Sequence, residues 1–297
     1  MGGRPEGVHR DGHEAPLIGY GVIMDKAKLV SVCGTIPLLG PSLRKIARWY
    51  PEGSVTTIKS GHLAGYRWRR SHRYVSGYWL GHYELPIQQC LARELRTGDV
   101  FYDVGANAGF FSLLASKCVG SAGKVFAFEP LPENACSIRS QLELNDINNC
   151  TVVQAAVSDR DGTIEFSSGE DTSTAHIKGA RGEEDGGPMF SVRTISLDQF
   201  TQETSPPDFI KMDIEGAEIL ALEGAAAILG GMHPPRMLIE FHGEELAHQG
   251  HRLLAEYDYD LLSLTGDPVV TGSRQRHVLC VPRGKARGPG DVDLDPN

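Results

Sequence analysis

The chain has 297 residues, room for one large domain or for a domain of ordinary size with an added segment. Hydrophobic residues make up 40% and charged residues 23%, the balance of a folded soluble protein, which excludes wholesale disorder and fibrous repeats as starting points. Acidic side chains outnumber basic ones by 38 to 29, a formal charge of −9, and this argues against nucleic acid as a partner, because a phosphate backbone needs a positive footprint.

Residues 1–16, MGGRPEGVHRDGHEAP, are polar and glycine-rich; they predict a disordered leader and lack the charged-then-apolar layout of a signal peptide. Residues 17–79 are mixed. LIGYGVIM is apolar, PSLRKIARWY predicts a short helix, and the glycine-, tyrosine- and arginine-rich sequence that follows predicts a small hairpin. This segment is expected to cap the next domain and shape its substrate pocket. Within it Arg67, Arg69, Arg70, His72 and Arg73 alternate with Tyr66, Trp68 and Tyr74. Such a cluster can bind phosphate or stack on a ring, but long charged stems more often cover apolar surface, and a solvated face is the simpler expectation. The six cysteines, Cys33, Cys90, Cys118, Cys136, Cys150 and Cys280, form no C-x-x-C pair and no metal-ligand rhythm, so a disulfide framework is not expected. No apolar run approaches the roughly 18–20 residues of a membrane span, which leaves a cytoplasmic protein without membrane contact as the expectation.

From residue 80 to residue 282 the pattern sharpens into one domain. ELPIQQCLAREL (84–95) has helical spacing. Strand VFYDVG (100–105), helix FFSLLASKCV, strand KVFAFEP (124–130), helix PENACSIRSQLELN and strand CTVVQAAV (150–157) follow. After an insertion come strand DFIKMDIEG (208–216), helix AEILALEGAAAIL, strand RMLIEFHG (236–243), helix EELAHQGHRLLAEY and the final strands YDLLSLTG and RHVLCVP. Near-continuous apolar strands separated by helices imply a parallel sheet covered on both faces, a doubly wound Rossmann-like α/β architecture. The insertion predicts two strands, TIEFSS (163–168) and FSVRTISLDQF (190–200), around a polar loop of the sort that forms a mobile rim. Residues 283–297 predict a flexible tail.

Ligands of open α/β sheets sit beyond the carboxyl ends of the strands. The first strand ends in Asp103-Val104-Gly105-Ala106-Asn107-Ala108-Gly109. Gly105 allows a tight turn and close backbone approach, Gly109 allows close entry of the helix, and Asp103 offers a carboxylate to a cationic amino group. Glu129 closes the second strand about 24 residues after Gly105, where an acid accepts hydrogen bonds from a ribose diol. A dinucleotide would need G-x-G-x-x-G to seat its pyrophosphate; this loop is G-x-N-x-G, which disfavours a nicotinamide-dependent oxidoreductase and favours S-adenosylmethionine as cofactor.

DVGANAGFFSLLA, VFAFEPLPEN, LELNDINNCTVVQAAVSDRDG and FIKMDIEGAEILALEGA followed by LIEFH resemble the FkbM-type methyltransferases over roughly residues 80–265. The resemblance implies a class I methyltransferase fold with strand order 3-2-1-4-5-7-6 and the last strand antiparallel. It implies methylation of a hydroxyl on a small natural product or sugar. By position it assigns Asp103, Gly105, Asn107 and Gly109 to the methionine side, Glu129 to the ribose, Ala156 to the adenine, and Glu84 to the amino-acid end, although an acid at position 84 also suits a helix cap.

Methyl transfer from a sulfonium needs an aligned acceptor and a place for its proton. Asp213, Glu215 and Glu218, with Glu240 and His242, are expected to converge from the fourth and fifth strand ends, Glu240 and His242 on one side and Asp213 and Glu215 likewise if the strand extends that far. His242 is the expected general base or hydrogen-bond acceptor, with Asp213 and Glu240 orienting it or binding other hydroxyls. The same acids would also favour helix starts near residues 216 and 243. A divalent metal held by Asp213, Glu240 and His242 is a less favoured alternative. His248 and His251, three apart on a helix, are expected at the surface. A non-catalytic adenosyl-ligand-binding subunit with this fold is the alternative function; a small-molecule acceptor and a homodimer are the expected partners.

Overall fold

The computed structural model describes residues 50–74, 77–168, 175–177, 189–270, 273 and 275–284. The expectations for the leader, for LIGYGVIM, for the helix before Tyr50 and for the tail beyond residue 284 lie outside the described residues, as does most of the polar loop of the insertion.

In chain order the elements are β1 (Val55–Thr57), β2 (Arg67–Arg69), α1 (Gly77–Leu80), α2 (Leu85–Glu94), β3 (Val100–Val104), α3 (Phe110–Val119), β4 (Lys124–Phe128), α4 (Pro132–Leu144), β5 (Cys150–Val153) and β6 (Ala156–Val157). There follow β7 (Gly162–Ser168), β8 (Ala175–Ile177), β9 (Met189–Ile195), α5 (Leu197–Phe200), β10 (Phe209–Met212), α6 (Glu218–Glu223), α7 (Ala226–Gly230), β11 (Arg236–Glu240), α8 (Glu244–Glu256), β12 (Tyr259–Leu262) and β13 (His277–Pro282).

Seven strands form the main sheet in the order β12-β13-β11-β10-β3-β4-β5. The pairs from β11 to β5 are parallel, and β13 runs antiparallel to both of its neighbours. Counted along the domain this is 3-2-1-4-5-7-6, as the resemblance implies. The central strands are apolar on both sides because helices cover both faces. Alternation splits their side chains between two cores: Phe101 packs with Leu113, Ile138 and α2, while its neighbour Tyr102 packs with Met212, Phe241 and Leu254 on the opposite face.

Local departures from the predicted elements have local causes. CTVVQAAV is two strands: β5 stays in the main sheet, and after Gln154 and Ala155 the chain joins a second sheet of order β6-β9-β7-β8. The predicted strand 190–200 ends at Ile195, where the Ser196 hydroxyl accepts the Gln199 N–H and caps α5. The predicted strand 208–216 stops at Met212, since Glu215 and Gly216 adopt positive φ and turn the chain. The helix predicted after it breaks at Gly224, whose Cα lies so close to the Ser158 carbonyl that an added Cβ would be 2.0 Å from that oxygen.

The described part of the N-terminal segment packs on the sheet's first face. Trp68 is buried against Tyr78 and Phe110, at ring separations of 5.2 and 6.1 Å, while Arg67 on the same strand is half exposed. Arg69 donates to Ser140 Oγ and the Gly53 carbonyl, and Arg70 lies over the Tyr50 ring at 4.5 Å. Within the basic cluster Trp68 and Tyr74 turn inward, while Arg67 and Arg69 are exposed. Among the described residues no helix is long and apolar enough to cross a membrane.

Candidate active site

A cavity of about 430 Å³ opens at the carboxyl ends of β3, β4, β10 and β11, within the range of small-molecule sites. Gly105, Asn107, Glu129 and Ala156 line one side; Glu84, Lys211, Asp213, Glu215, Glu240 and His242 line the other; Tyr78, Tyr83, Phe110 and Phe111 form an aromatic wall between them.

The first side is shaped by backbone. Gly105 and Ala106 N–H groups both donate to the Phe128 carbonyl at 3.0 Å, folding the loop back over β4. Gly105 has φ +83°, and an added Cβ would lie 1.9 Å from the Asp213 carbonyl, so the close approach that requires glycine is between two strand ends of the protein. Gly109, at φ +87°, enters α3 with an added Cβ 3.1 Å from Ile138. It is packed beneath the cavity and does not line it. Glu129 is almost fully buried; its two oxygens accept the N–H groups of Asn107 and Leu131, each at 2.9 Å. Burial pushes its carboxyl up to about 7 against the lowering effect of those amides.

Two expectations need revision. Asp103 does not line the cavity: it is fully buried, accepts the Ser112 hydroxyl at 2.6 Å, and faces Lys211 Nζ at 3.8 Å. The side chain of a residue inside β3 points into the packed sheet, so its charge acts through Lys211. Glu84 precedes α2 but makes no capping hydrogen bond with its side chain; it sits at φ +43° with a buried Oε2 that has no hydrogen-bond partner among the described residues. Burial raises its pKa, partly offset by Lys211.

The second side is shaped by charge. His242 Nδ1–H donates to Glu218 Oε1 at 2.8 Å, and Nε2 faces Asp213 Oδ1, Glu215 Oε2 and Glu240 Oε1 at 3.5, 3.6 and 3.7 Å. Burial lowers the histidine's pKa, but the Glu218 bond and the surrounding carboxylates outweigh it and leave the pKa raised. The orienting carboxylate is therefore Glu218, fully buried, rather than Asp213 or Glu240. Glu240 is engaged elsewhere, accepting from Arg276 at 2.7 Å and lying 3.0 Å from His277 Nε2. Those partners outweigh its burial and hold its carboxyl down at about 2. The less favoured metal set read from the sequence is altered accordingly: among the described residues Asp213, Glu215 and His242, without Glu240, are the group with mutually close ligand atoms. Asp213 and Glu215 meet through a turn instead of strand alternation. His251 is buried against the Phe241 ring, not at the surface, and burial lowers its pKa.

Lys211 is the functional residue that sequence reasoning missed. It is buried at the cavity floor, 3.4 Å from Asp213 Oδ2, with its ammonium 5.1 Å from the centre of the Phe111 ring. Burial lowers its pKa, but Asp213, Asp103 and Glu84 outweigh that and hold it protonated. The signal was a lysine inside the apolar run FIKM; pairing that strand with VFYDV sets Lys211 beside Asp103. The aromatic wall was missed because its members come from two separate helices and a loop.

A seven-stranded sheet of this order with one reversed strand, and a polar cavity at its carboxyl ends, has the fold of the class I methyltransferases. More narrowly, the chain belongs to the FkbM methyltransferase family, whose domain model matches residues 103–261. The hexuronic acid methyltransferase AglP of Haloferax volcanii is 26% identical over 228 residues, 72% of this chain and 89% of that protein. A solved methyltransferase FkbM from Methylobacillus flagellatus aligns with a TM-score of 0.42 and 21% identity over 62% of this chain; the alignment spans only 43% of that protein. Fibrillarin from Aeropyrum pernix, solved with natively bound S-adenosyl-L-methionine, aligns with a TM-score of 0.37 and 12% identity over 63% of this chain and 67% of its own.

Proposed function

We propose that this protein transfers the methyl group of S-adenosylmethionine to a hydroxyl of a small polyhydroxylated acceptor, most simply a sugar or sugar acid. The carrying observation is the two-sided cavity, with a buried ribose-type acid on the backbone-shaped side and a carboxylate–histidine cluster opposite. The donor set fits the cofactor: Glu129 accepts from a ribose diol, the unpartnered Glu84 Oε2 accepts from an amino group, and Ala156, with Leu131 beside it, offers apolar contact to a base. When bound, the cofactor supplies an electrophilic methyl carbon on a positively charged sulfur.

The chain's own residues then have three tasks. Gly105 and Asn107 set the loop against which the methionine portion lies. The aromatic wall and the buried floor keep water from the reacting atoms. His242, fixed through Glu218, works with Asp213 to hold the acceptor oxygen and take its proton as the new O–C bond forms. The likeness to a hexuronic acid methyltransferase supports a sugar-type acceptor. Residues 17–79 are the segment we assign to acceptor choice, since Tyr74 and Tyr78 from it line the cavity.

The test is incubation with methyl-labelled S-adenosylmethionine and a panel of sugars, uronic acids and their methyl esters, followed by mass analysis. A labelled methyl ether is the expected product. Label on a carboxylate, a nitrogen or a carbon would replace the hydroxyl assignment, and failure to bind either S-adenosylmethionine or its demethylated product would remove the whole proposal.

A further inference from the structure

We propose that Asp213, Glu215 and His242 together bind a divalent cation of the Mn²⁺ type at the rim of the cavity, where it holds the acceptor's oxygens; this rests on the acceptor site proposed above. Each residue offers one ligand atom, and all three atoms lie within 4.8 Å of one another, the only such group among the described residues. Ligand atoms bound roughly 2.1–2.3 Å from one ion lie roughly 3–4.5 Å apart, so the group needs little adjustment to close on a cation.

The histidine supplies the independent observation. Its side chain is only 6% exposed, yet among the described residues Nε2 makes no short hydrogen bond: Asp213, Glu215 and Glu240 stand 3.5, 3.6 and 3.7 Å away, distances too long for strong ones. The ring is nevertheless held in place, because Nδ1 is fixed by Glu218, which is itself buried and also accepts the Gly216 N–H at 3.0 Å. A carboxylate that fixes one ring nitrogen so that the other faces two further carboxylates is the outer-shell arrangement of metal-bound histidine. Lys211 lies beside Asp213 Oδ2, whereas Oδ1 is the oxygen that faces His242. Two carboxylates and one imidazole, with the remaining positions open to the cavity, suit a cation that prefers oxygen but accepts nitrogen. A cation there would replace His242 as the activating group: with Nε2 bound to it, it would hold the acceptor oxygen and lower the pKa of its hydroxyl, whose proton would pass to water in the open cavity.

The test uses the full chain treated with EDTA and titrated with MnCl₂ alone, free Mn²⁺ being read by electron paramagnetic resonance. A single bound Mn²⁺ per chain is expected, with affinity falling at least about tenfold in Glu215→Gln and Asp213→Asn and about 10–100-fold in Glu218→Gln. A parent chain that leaves all Mn²⁺ free, or a Glu215→Gln variant that binds it normally, overturns the proposal. Titration of the same EDTA-treated proteins with S-adenosylhomocysteine shows whether each variant is folded. Nucleoside binding without Mn²⁺ binding would defeat the cation site and leave the methyltransferase function standing; loss of nucleoside binding by the parent would defeat the function itself.

Discussion

The two sides of the cavity are held by different means. Toward β3 and β4 the surface is set by backbone: positive-φ glycines, a folded-back loop and a glutamate clamped by two amide N–H groups. Toward β10 and β11 it is set by side-chain charge, with four carboxylates about one imidazole and a lysine beneath. A backbone-built surface tolerates little conformational change and responds to pH only through Glu129; a charge-built one moves with protonation and with any ion that joins it. The difference suits a cofactor bound the same way in every turnover on one side and an exchanging acceptor on the other.

Lys211 is where the two sides meet, and changing it has the largest expected effect. Lys211→Met leaves the buried Asp103 without its counter-charge and should cost about 3–5 kcal/mol of folding stability, measured by urea unfolding. Both nucleoside binding and transfer should then weaken together. Unchanged stability would show that the two sides stand independently.

A sharper separation comes from His242→Ala, which should slow transfer by about 100-fold or more while S-adenosylhomocysteine binds with near-parental affinity in calorimetry. Equal losses of rate and affinity would erase the proposed division of labour. On the other side Glu129→Gln should weaken nucleoside binding by about 10–100-fold, the worth of hydrogen bonds to a charged acceptor, with a smaller change in the rate at saturation.

The smallest effect is that of pH on the same contact. The ionised Glu129 is the form that accepts two ribose hydroxyls, and its carboxyl titrates at about 7, so affinity should fall about twofold from about pH 8 to about pH 7 and more steeply below. Glu129→Gln should abolish that dependence. For folding the sign is reversed: a carboxyl raised from 4.5 to about 7 favours the folded state at low pH, and this contribution is lost as pH rises through that window. Unfolding of the nucleoside-free chain across the same range reads it directly.

The same contrast explains what was legible in the sequence. Gly105, Asn107 and Glu129 could be read because a strand, a glycine turn and an acid at fixed spacing are local signals; the alternation of apolar strands and helices carried the doubly wound class, while the strand order came from the family resemblance. Asp103 was misjudged because its surroundings are set by the register of β3 against β10, which no local pattern gives. Glu218 and His242 are 24 positions apart and meet because α6 packs against α8, with His242 in the turn between β11 and α8. Glu240 looked like a member of the reacting group until β13 brought His277 opposite it. Side-chain networks drawn from several elements are tertiary facts, and the sequence supplies their members without their partners.

One small feature of the hairpin also bears on how the molecule behaves in company. The outer edge of β2 is occupied by two side-chain amides of the adjoining helix region: Gln141 and Asn145 each exchange a pair of hydrogen bonds with the backbone of Arg69 and Arg67, at 2.8–2.9 Å. A bare strand margin invites a neighbouring polypeptide to continue the ladder. Here a glutamine and an asparagine impersonate that neighbour, so the ladder is closed within a single molecule and this margin has nothing left to offer a stranger.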